Sequence, residues 1–425
     1  MEDNKLTGPG EQPDSQKPGE TVSIGVSGYK ISNGYVIDDY QRELNGDAGR
    51  RKFREMQIGD PTVGALLTAI EMMLRAVEFK FEPAEADMDN RYLEFAESQF
   101  DDLEVTWDEI LTEILSFLPF GFCLMEMVYK RRDDGLITTA NMAPRAQETI
   151  WEWEINEHGD ILGVWQWPPL GGNRIFIPYT HLLHFRTKLN RGNPEGISIL
   201  RNAYTSYYYT KQLKMVEAQA IERELNGLPV VRIPAEAMAN TTVRSAYEKI
   251  ARDVKLNEQG GLVIPSNPYK DNEGKPTSIR QYDVELLSSN GSRNIDTDTI
   301  IRRHQQDMVR TVLADFLMLG SGDKGSFALS KSKTDLFLRS IEGYLNIITA
   351  QLNTKWMNTL WDLNGFDMEM KPLLVTGNVT PVDLEELGKY VRDTGLIAAL
   401  DPNTENYLKE VAGLPVKEES EELGG

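Results

Sequence analysis

The segment 334–363 sets the firmest limit on the fold. Phe337, Ile341, Leu345, Ile348, Leu352, Trp356 and Leu360 recur three or four residues apart. That spacing lines one face of an α-helix, which must be buried against a partner layer. Asn364-Gly365 follows as a stop signal. A second long helical segment begins after Pro194 and ends at Asn226-Gly227. If continuous, it spans about 48 Å at roughly 1.5 Å per residue. A third runs from about Asn294 to Met318, with Ile300, Ile301, Met308, Val309, Val312, Leu313, Phe316 and Leu317 on its apolar face.

Between the second and third helices, residues 228–291 read as a small α+β insert. Leu228–Ile233, Gly261–Ile264 and Tyr282–Leu287 read as strands, and 235–254 as a short helix. A Gly/Ser/Lys-rich loop, 319–333, joins the third helix to the 334–363 helix. After Pro381, helices are expected over 382–394 and 402–412, ahead of an acidic tail, KEESEELGG.

Upstream, residues 1–35 are rich in Gly, Pro, Ser and Asp and read as a mobile arm. Asp60-Pro61 is a helix start, with Asp as N-cap and Pro at the first helical position. Residues 77–82, VEFKFE, alternate like a strand. Residues 148–167 read as a β-hairpin with Trp151, Trp153 and Ile155 on one face. Arg174–Pro178 and His181–Arg186 read as further strands. Residues 82–113 hold twelve acidic side chains against one basic, Arg91. Apolar residues among them suggest helices packed on one side, with the acids on a solvated outer face.

The chain has 425 residues, a formal net charge of -21, 40% apolar and 26% charged residues. This composition is globular and allows two to four domains. No window offers the roughly 18–20 apolar residues that span a bilayer, so no membrane role is expected. The N-terminus lacks the apolar core of a secretory signal. The single cysteine, Cys123, excludes an internal disulfide framework and a cysteine-cluster zinc site.

The enzyme motifs are weak. Gly320 to Gly325 matches G-x-G-x-x-G, but a helix rather than a strand precedes it. Ser326 stands where a P-loop needs Lys. His181 and His184 would fall on opposite faces of a strand, a poor metal pair. Cys123 lies in an apolar run, where a buried thiol is the default. No catalytic residue, metal site or cofactor is expected.

Several stretches together resemble the portal proteins of tailed bacteriophages, in particular the Mu-like branch. Gly121, Glu126 and Val128-Tyr129, after Leu118-Pro119-Phe120, look like the family's G-[FY]-x-x-x-E-x-V-[YW] segment. Pro194, Gly196, Ser198 and Arg201 resemble its P-x-G-x-S-x-L-R passage into the long helix. The helix-loop-helix over 294–363 resembles the family's stem helix, tunnel loop and wing helix. The resemblance implies an α+β, predominantly helical fold assembled as a ring, usually of twelve. Residues 36–195 and 334–380 would form the wing, 196–226 and 292–318 the stem, 227–291 the clip, 319–333 the tunnel loop and 381–425 a small crown. The implied place is one vertex of the virion capsid, after assembly in the host cytoplasm. Double-stranded DNA would pass through during packaging and ejection. The implied partners are the terminase large subunit, the major capsid and scaffolding proteins, and the head–tail adaptor. A baseplate or head–tail adaptor subunit is the alternative.

The charge distribution suits a conduit. The deficit is concentrated in 82–113 and in 383–425, where eleven acids face four bases, while 186–216 and 319–339 are net positive. A chain this acidic is no tight nonspecific DNA binder. Lys324, Lys331 and Lys333, on or beside the tunnel loop, are candidates for transient phosphate contact. Arg302, Arg303 and His304 interrupt an apolar helix face and are candidates for subunit ion pairs or channel lining. The basic 186–216 stretch is expected to pair, across the ring, with the acidic 82–113 region.

Overall fold

The computed structural model describes residues 28, 31–32, 34–156, 158–169, 171–226, 228–255, 264–287, 296–314, 327–379 and 389. Two compact units emerge: Met1–Arg201 with Val312–Gly425, and Asn202–Thr311 between them.

The first unit opens with a two-stranded ribbon, β1 (Ile31–Ser32) and β2 (Tyr35–Val36). Helix α1 (Gly46–Gly59) runs directly into α2 (Pro61–Arg75). The break between them is written in Asp60, whose Oδ1 accepts from Thr62 N at 2.9 Å and Val63 N at 3.0 Å, with Pro61 at the first helical position. Strand β3 (Phe79–Glu82) leads to α3 (Arg91–Asp102) and α4 (Trp107–Ile114). Thr106 and Glu109 form a reciprocal capping box at the start of α4. Ten of the twelve acidic side chains over 82–113 are exposed on the single chain, so the charge run lies on its surface, as expected.

A short helical turn, α5 (Phe117–Phe120), precedes β4 (Phe122–Arg131) and β5 (Ile137–Arg145). Strands β6 (Ile150–Ile155), β7 (Ile161–Gln166), β8 (Ile175–Pro178) and β9 (Leu182–Arg186) follow. They make two antiparallel sheets, ordered β5-β4-β9 and β6-β7-β8. Strand β4 is buried on both faces. Cys123, Met125 and Met127 point into the main core, while Phe122 and Leu124 join Trp153, Val164 and Ile177 in a smaller one. This double burial explains the near-continuous apolar run in the sequence.

The tryptophan hairpin forms, but Trp151 and Trp153 do not share a face. Ile150 pairs with Gln166 and Glu152 with Trp165, so Trp151 is an extra residue in β6. The bulge leaves Trp151 46% exposed while Trp153 is 2% exposed. Leu162 is extra in β7 in the same way and is also exposed.

The second unit contains α6 (Tyr204–Asn226), β10 (Leu228–Arg232), α7 (Ala235–Ala239), α8 (Thr241–Lys255), β11 (Pro268–Lys270), β12 (Pro276–Arg280), β13 (Asp283–Leu287) and α9 (Thr297–Arg310). Strand β10 pairs with β13, and β11 with β12. Helices α6 and α9 lie antiparallel. Tyr209 stacks on His304 at 5.8 Å between ring centroids, and Thr297 Oγ1 donates to Glu217 at 2.5 Å.

Several boundaries differ from expectation; α10 begins at Phe327 rather than at 334, and the helix expected over 235–254 is split into α7 and α8. Helix α6 starts at Tyr204 rather than after Pro194, because residues 194–200 are held against 118–121 and Gly196 takes a φ of 59°. Helix α9 ends at Arg310, since Leu313 adopts a φ of 62°, outside the right-handed helical region. The stretch between Ile264 and Tyr282, where no strand was expected, contains the β11–β12 hairpin, and Ile264 is not in a strand. Residues 261–263 and the helices expected over 382–394 and 402–412 lie outside the described residues, apart from Lys389.

The chain returns to the first unit through α10 (Phe327–Gln351), a π-helical turn (Leu352–Trp356), α11 (Met357–Asn364) and β14 (Leu373–Thr376), which pairs with β3. Phe337, Ile341, Leu345, Ile348, Leu352, Trp356 and Leu360 are all buried in the main core, as the spacing required. Asn353, in the π turn, binds β14 through both ends of its amide: Nδ2 donates to Leu374 O at 2.8 Å, and Oδ1 accepts from Leu374 N at 2.9 Å. Gly365 ends the helix with a φ of 67°. Asn364 also grips Ile137 of β5, with Oδ1 accepting from its N at 2.7 Å and Nδ2 donating to its O at 2.8 Å.

Candidate functional site

Residues from two distant stretches interlock on the first unit. Gly121 follows α5 with a φ of 95°, and a Cβ there would sit 2.5 Å from Glu195 O. A Cβ on Gly196 would sit 2.3 Å from Gly121 O. Only glycine on both sides lets the two backbones approach so closely. Ser198 completes the contact: its Oγ donates to Pro119 O at 2.5 Å and accepts from Leu200 N at 3.0 Å, while Ile199 N donates to Leu118 O at 3.1 Å.

Three residues that the sequence motifs did not single out secure this clasp. Thr187 N donates to Gly121 O at 3.0 Å, and Thr187 Oγ1 donates to Ile197 O at 2.5 Å. Buried Arg50 of α1 donates to Glu195 Oε1 at 2.5 Å and to Ile150 O at 2.8 Å, and Trp153 Nε1 also donates to Glu195 at 3.2 Å. One carboxylate thus joins α1, the small sheet and the 194–200 segment. Glu195 lay inside a motif, but nothing in its spacing marked Arg50, 145 residues away, as its partner.

Buried His184 supports the same segment. A carbonyl can only accept, so Nε2 carries the proton and donates to Pro194 O at 2.7 Å, leaving Nδ1 to accept from the Tyr179 hydroxyl at 3.2 Å. Burial, reinforced by the nearby Arg186 charge, lowers its pKa to about 3, so it is neutral. His181 lies in the turn before β9 and does not meet it. Burial likewise pushes the Cys123 thiol up to about 12, which makes it inert as a nucleophile. No group of three or more His, Cys, Asp or Glu that could hold a metal exists among the described residues.

Of the other motif residues, Arg201 forms a two-pronged pair with Asp39 and lies 5.1 Å over the Tyr40 ring. Glu126 is not part of the clasp; it accepts from Arg145 of the neighbouring strand β5, with Nε at 2.9 Å.

The family model for the portal protein of Mu bacteriophage matches residues 51–414, so the stretches that resembled portals sit within one continuous match. The chain belongs to that portal family. It is therefore a structural component of a phage particle and not an enzyme. No curated protein matches it in sequence.

Solved structures share the fold at low identity. The chain is similar to one in the neck of an empty gene transfer agent (GTA) particle, with a TM-score of 0.53 and 12% identity, over 86% of this chain and 94% of that one. A chain in the neck of a native GTA particle matches with a TM-score of 0.53 and 12% identity, over 87% and 94%. An HK97-family phage portal protein from Corynebacterium diphtheriae gives a TM-score of 0.46 and 13% identity, over 76% and 94%.

For a portal, the remaining candidates are the DNA-facing and subunit-facing cations. Lys324 lies outside the described residues. Lys331 and Lys333 stand in α10 rather than in a loop, because the helix begins at Phe327. The sequence FALSKSK there consists of residues a helix accepts, with no Gly or Pro to stop it. Lys333 is half-buried. On α9, exposed Arg302 pairs with Asp298 at 2.9 Å within its own helix, and Arg303 is exposed. His304 turns inward onto Tyr209. No described helix is long and apolar enough to cross a membrane.

Proposed function

We propose that copies of this chain close into a ring of twelve at one capsid vertex, and that double-stranded DNA is packaged and ejected through its channel. The observation that carries this reading is the portal-family match over 51–414. The C12 symmetry applied to the neck of the native GTA particle supports the number of copies. In this reading residues 36–195 and 334–380 of the first unit are the wing. Helices α6 and α9 are the stem, and the strands and helices between them are the clip, which docks the terminase motor and later the head–tail adaptor. Residues 381–425 form the crown. Scaffolding and major capsid proteins surround the ring during assembly.

The physical logic of the channel is weak attraction. Each phosphate held tightly would add salt-sensitive affinity that opposes sliding. A chain of net charge -21 forms a mostly repulsive wall. Lys324, Lys331 and Lys333 supply transient contacts against it. Arg302 and Arg303 face the neighbouring subunit, with His304 fixed on Tyr209 behind them.

Native mass spectrometry tests the ring: twelve copies of 48.1 kDa give about 577 kDa. A chain that stays monomeric or dimeric under all assembly conditions, with no ring at an imaged capsid vertex, overturns the reading. Replacing Lys324, Lys331 and Lys333 together by Ala reduces DNA packaging or retention; unchanged packaging and retention refute their role.

A further inference from the structure

Two surface patches on the first unit are complementary. The first follows the end of β9. Leu189 is 64% exposed there, and Tyr40 is 85% exposed. The two segments that carry them are fastened together: Asn190 Nδ2 donates to Asp38 Oδ2 at 3.1 Å, and Arg201 pairs with Asp39 beneath Tyr40. Both aspartates are thereby engaged, while Lys188 and Arg191 stand exposed beside the apolar side chains. The patch is apolar at its centre and basic at its rim.

The second patch surrounds the end of β3. Glu82 sits directly opposite Leu373 in the β3–β14 pair, and both are exposed. Glu85, Met88 and Asp89 follow, also exposed, with Met88 at 88%. Met88 is held out by an ordered turn. Beside it, buried Asp87 accepts from Tyr92 N and Leu93 N at 3.0 Å each, and Asp87 N donates to Ala84 O at 3.0 Å. This patch is apolar at its centre, and Glu82, Glu85 and Asp89 outnumber the exposed Lys80 and Arg91 at its rim.

The two patches belong to different strand pairs. The basic one continues from β9, an edge of the β5-β4-β9 sheet, and the acidic one from β3 of the separate β3–β14 pair. Two different patches serve a head-to-tail contact, in which each subunit offers a different face to each neighbour.

We infer that the basic patch of one subunit docks on the acidic patch of the next copy of this chain. The inference rests on the ring reading above and gives it a residue-level interface. Charge selects the occupant: each patch repels its own kind, so a symmetric dimer through either one is disfavoured, while the unlike pair is attracted. Tyr40, Leu189, Met88 and Leu373 form the desolvated centre, where most of the binding energy of such contacts resides.

Cross-linking tests it on the full chain. Cys123 is the only cysteine and is buried, so introduced thiols report without background. The double variant Met88→Cys with Leu189→Cys, treated with a short bis-maleimide, is expected to give a covalent ladder beyond the dimer, and neither single variant should. Reversing Lys188→Glu and Arg191→Glu should lower the ring fraction by about tenfold or more, and adding Glu85→Lys and Asp89→Lys should restore it. Rings seen by native mass spectrometry without a ladder, or without rescue by the second reversal, overturn this interface and leave the ring reading standing. A wild-type chain that forms no ring under any condition overturns both.

Discussion

The interlock of Gly121 with Gly196 can be measured against a glycine of nearly the same backbone conformation. Gly196 has a φ of 59° and Gly365 a φ of 67°, but a Cβ on Gly196 would lie 2.3 Å from Gly121 O, whereas one on Gly365 meets nothing within 4 Å. Substituting Ala at either position costs roughly 1–2 kcal/mol for a left-handed residue carrying a Cβ. Gly196→Ala carries the close approach in addition. The obstructing atom is backbone and cannot rotate away, so the extra cost falls at the upper end of the roughly 1–3 kcal/mol typical of overpacking. At an m-value of about 3 kcal/mol/M in urea, that moves the midpoint a further ~1 M. Tryptophan fluorescence is a suitable probe, because all seven tryptophans lie in the first unit. Equal midpoints for Gly196→Ala and Gly365→Ala would refute the interlock, since φ alone would then account for both.

Three further outcomes follow from buried groups. His184 has its pKa lowered from 6.5 to about 3. The unfolded chain therefore binds a proton that the folded one refuses, and stability is full above pH 6.5 and falls as pH drops toward 3; His184→Gln should flatten that slope in midpoint-versus-pH titrations. Cys123 should resist thiol reagents at pH 8 in the native protein and react on denaturation, as followed by absorbance. Glu195→Ala strands buried Arg50 and should cost about 3–5 kcal/mol, whereas Arg302→Ala removes an exposed pair within one helix and should cost under about 0.5 kcal/mol by urea melts.

Where side chains alternate on a fixed period, the sequence spoke plainly. The 3–4 spacing from Phe337 to Leu360 announced the central helix, and Asp60-Pro61 and Asn364-Gly365 marked helix ends that the structure keeps. The motif glycines were legible as a pattern, but their partnership was not, because it depends on two backbones meeting across 75 residues. The boundary after Pro194 was misplaced for the same reason: long-range hydrogen bonds from Ser198 and Thr187 hold the chain out of a helix that local propensity would allow. The position of Trp151 failed differently. Period-two reasoning assumes an unbroken ladder, and one bulge reverses which face a side chain takes. The loop expected over 319–333 was drawn too far, since α10 already begins at Phe327.

The antiparallel pairing of α6 with α9 bears on how such a chain can diversify. With Tyr209 against His304, near the start of one helix and beyond the middle of the other, the second unit leaves and rejoins the first as a closed excursion. Closure entropy grows only logarithmically with loop length, about 0.6 kcal/mol for each doubling. Whatever lies beyond the helices can therefore be lengthened, trimmed or exchanged while the first core keeps its packing, so the smaller second unit is free to vary where the first is not.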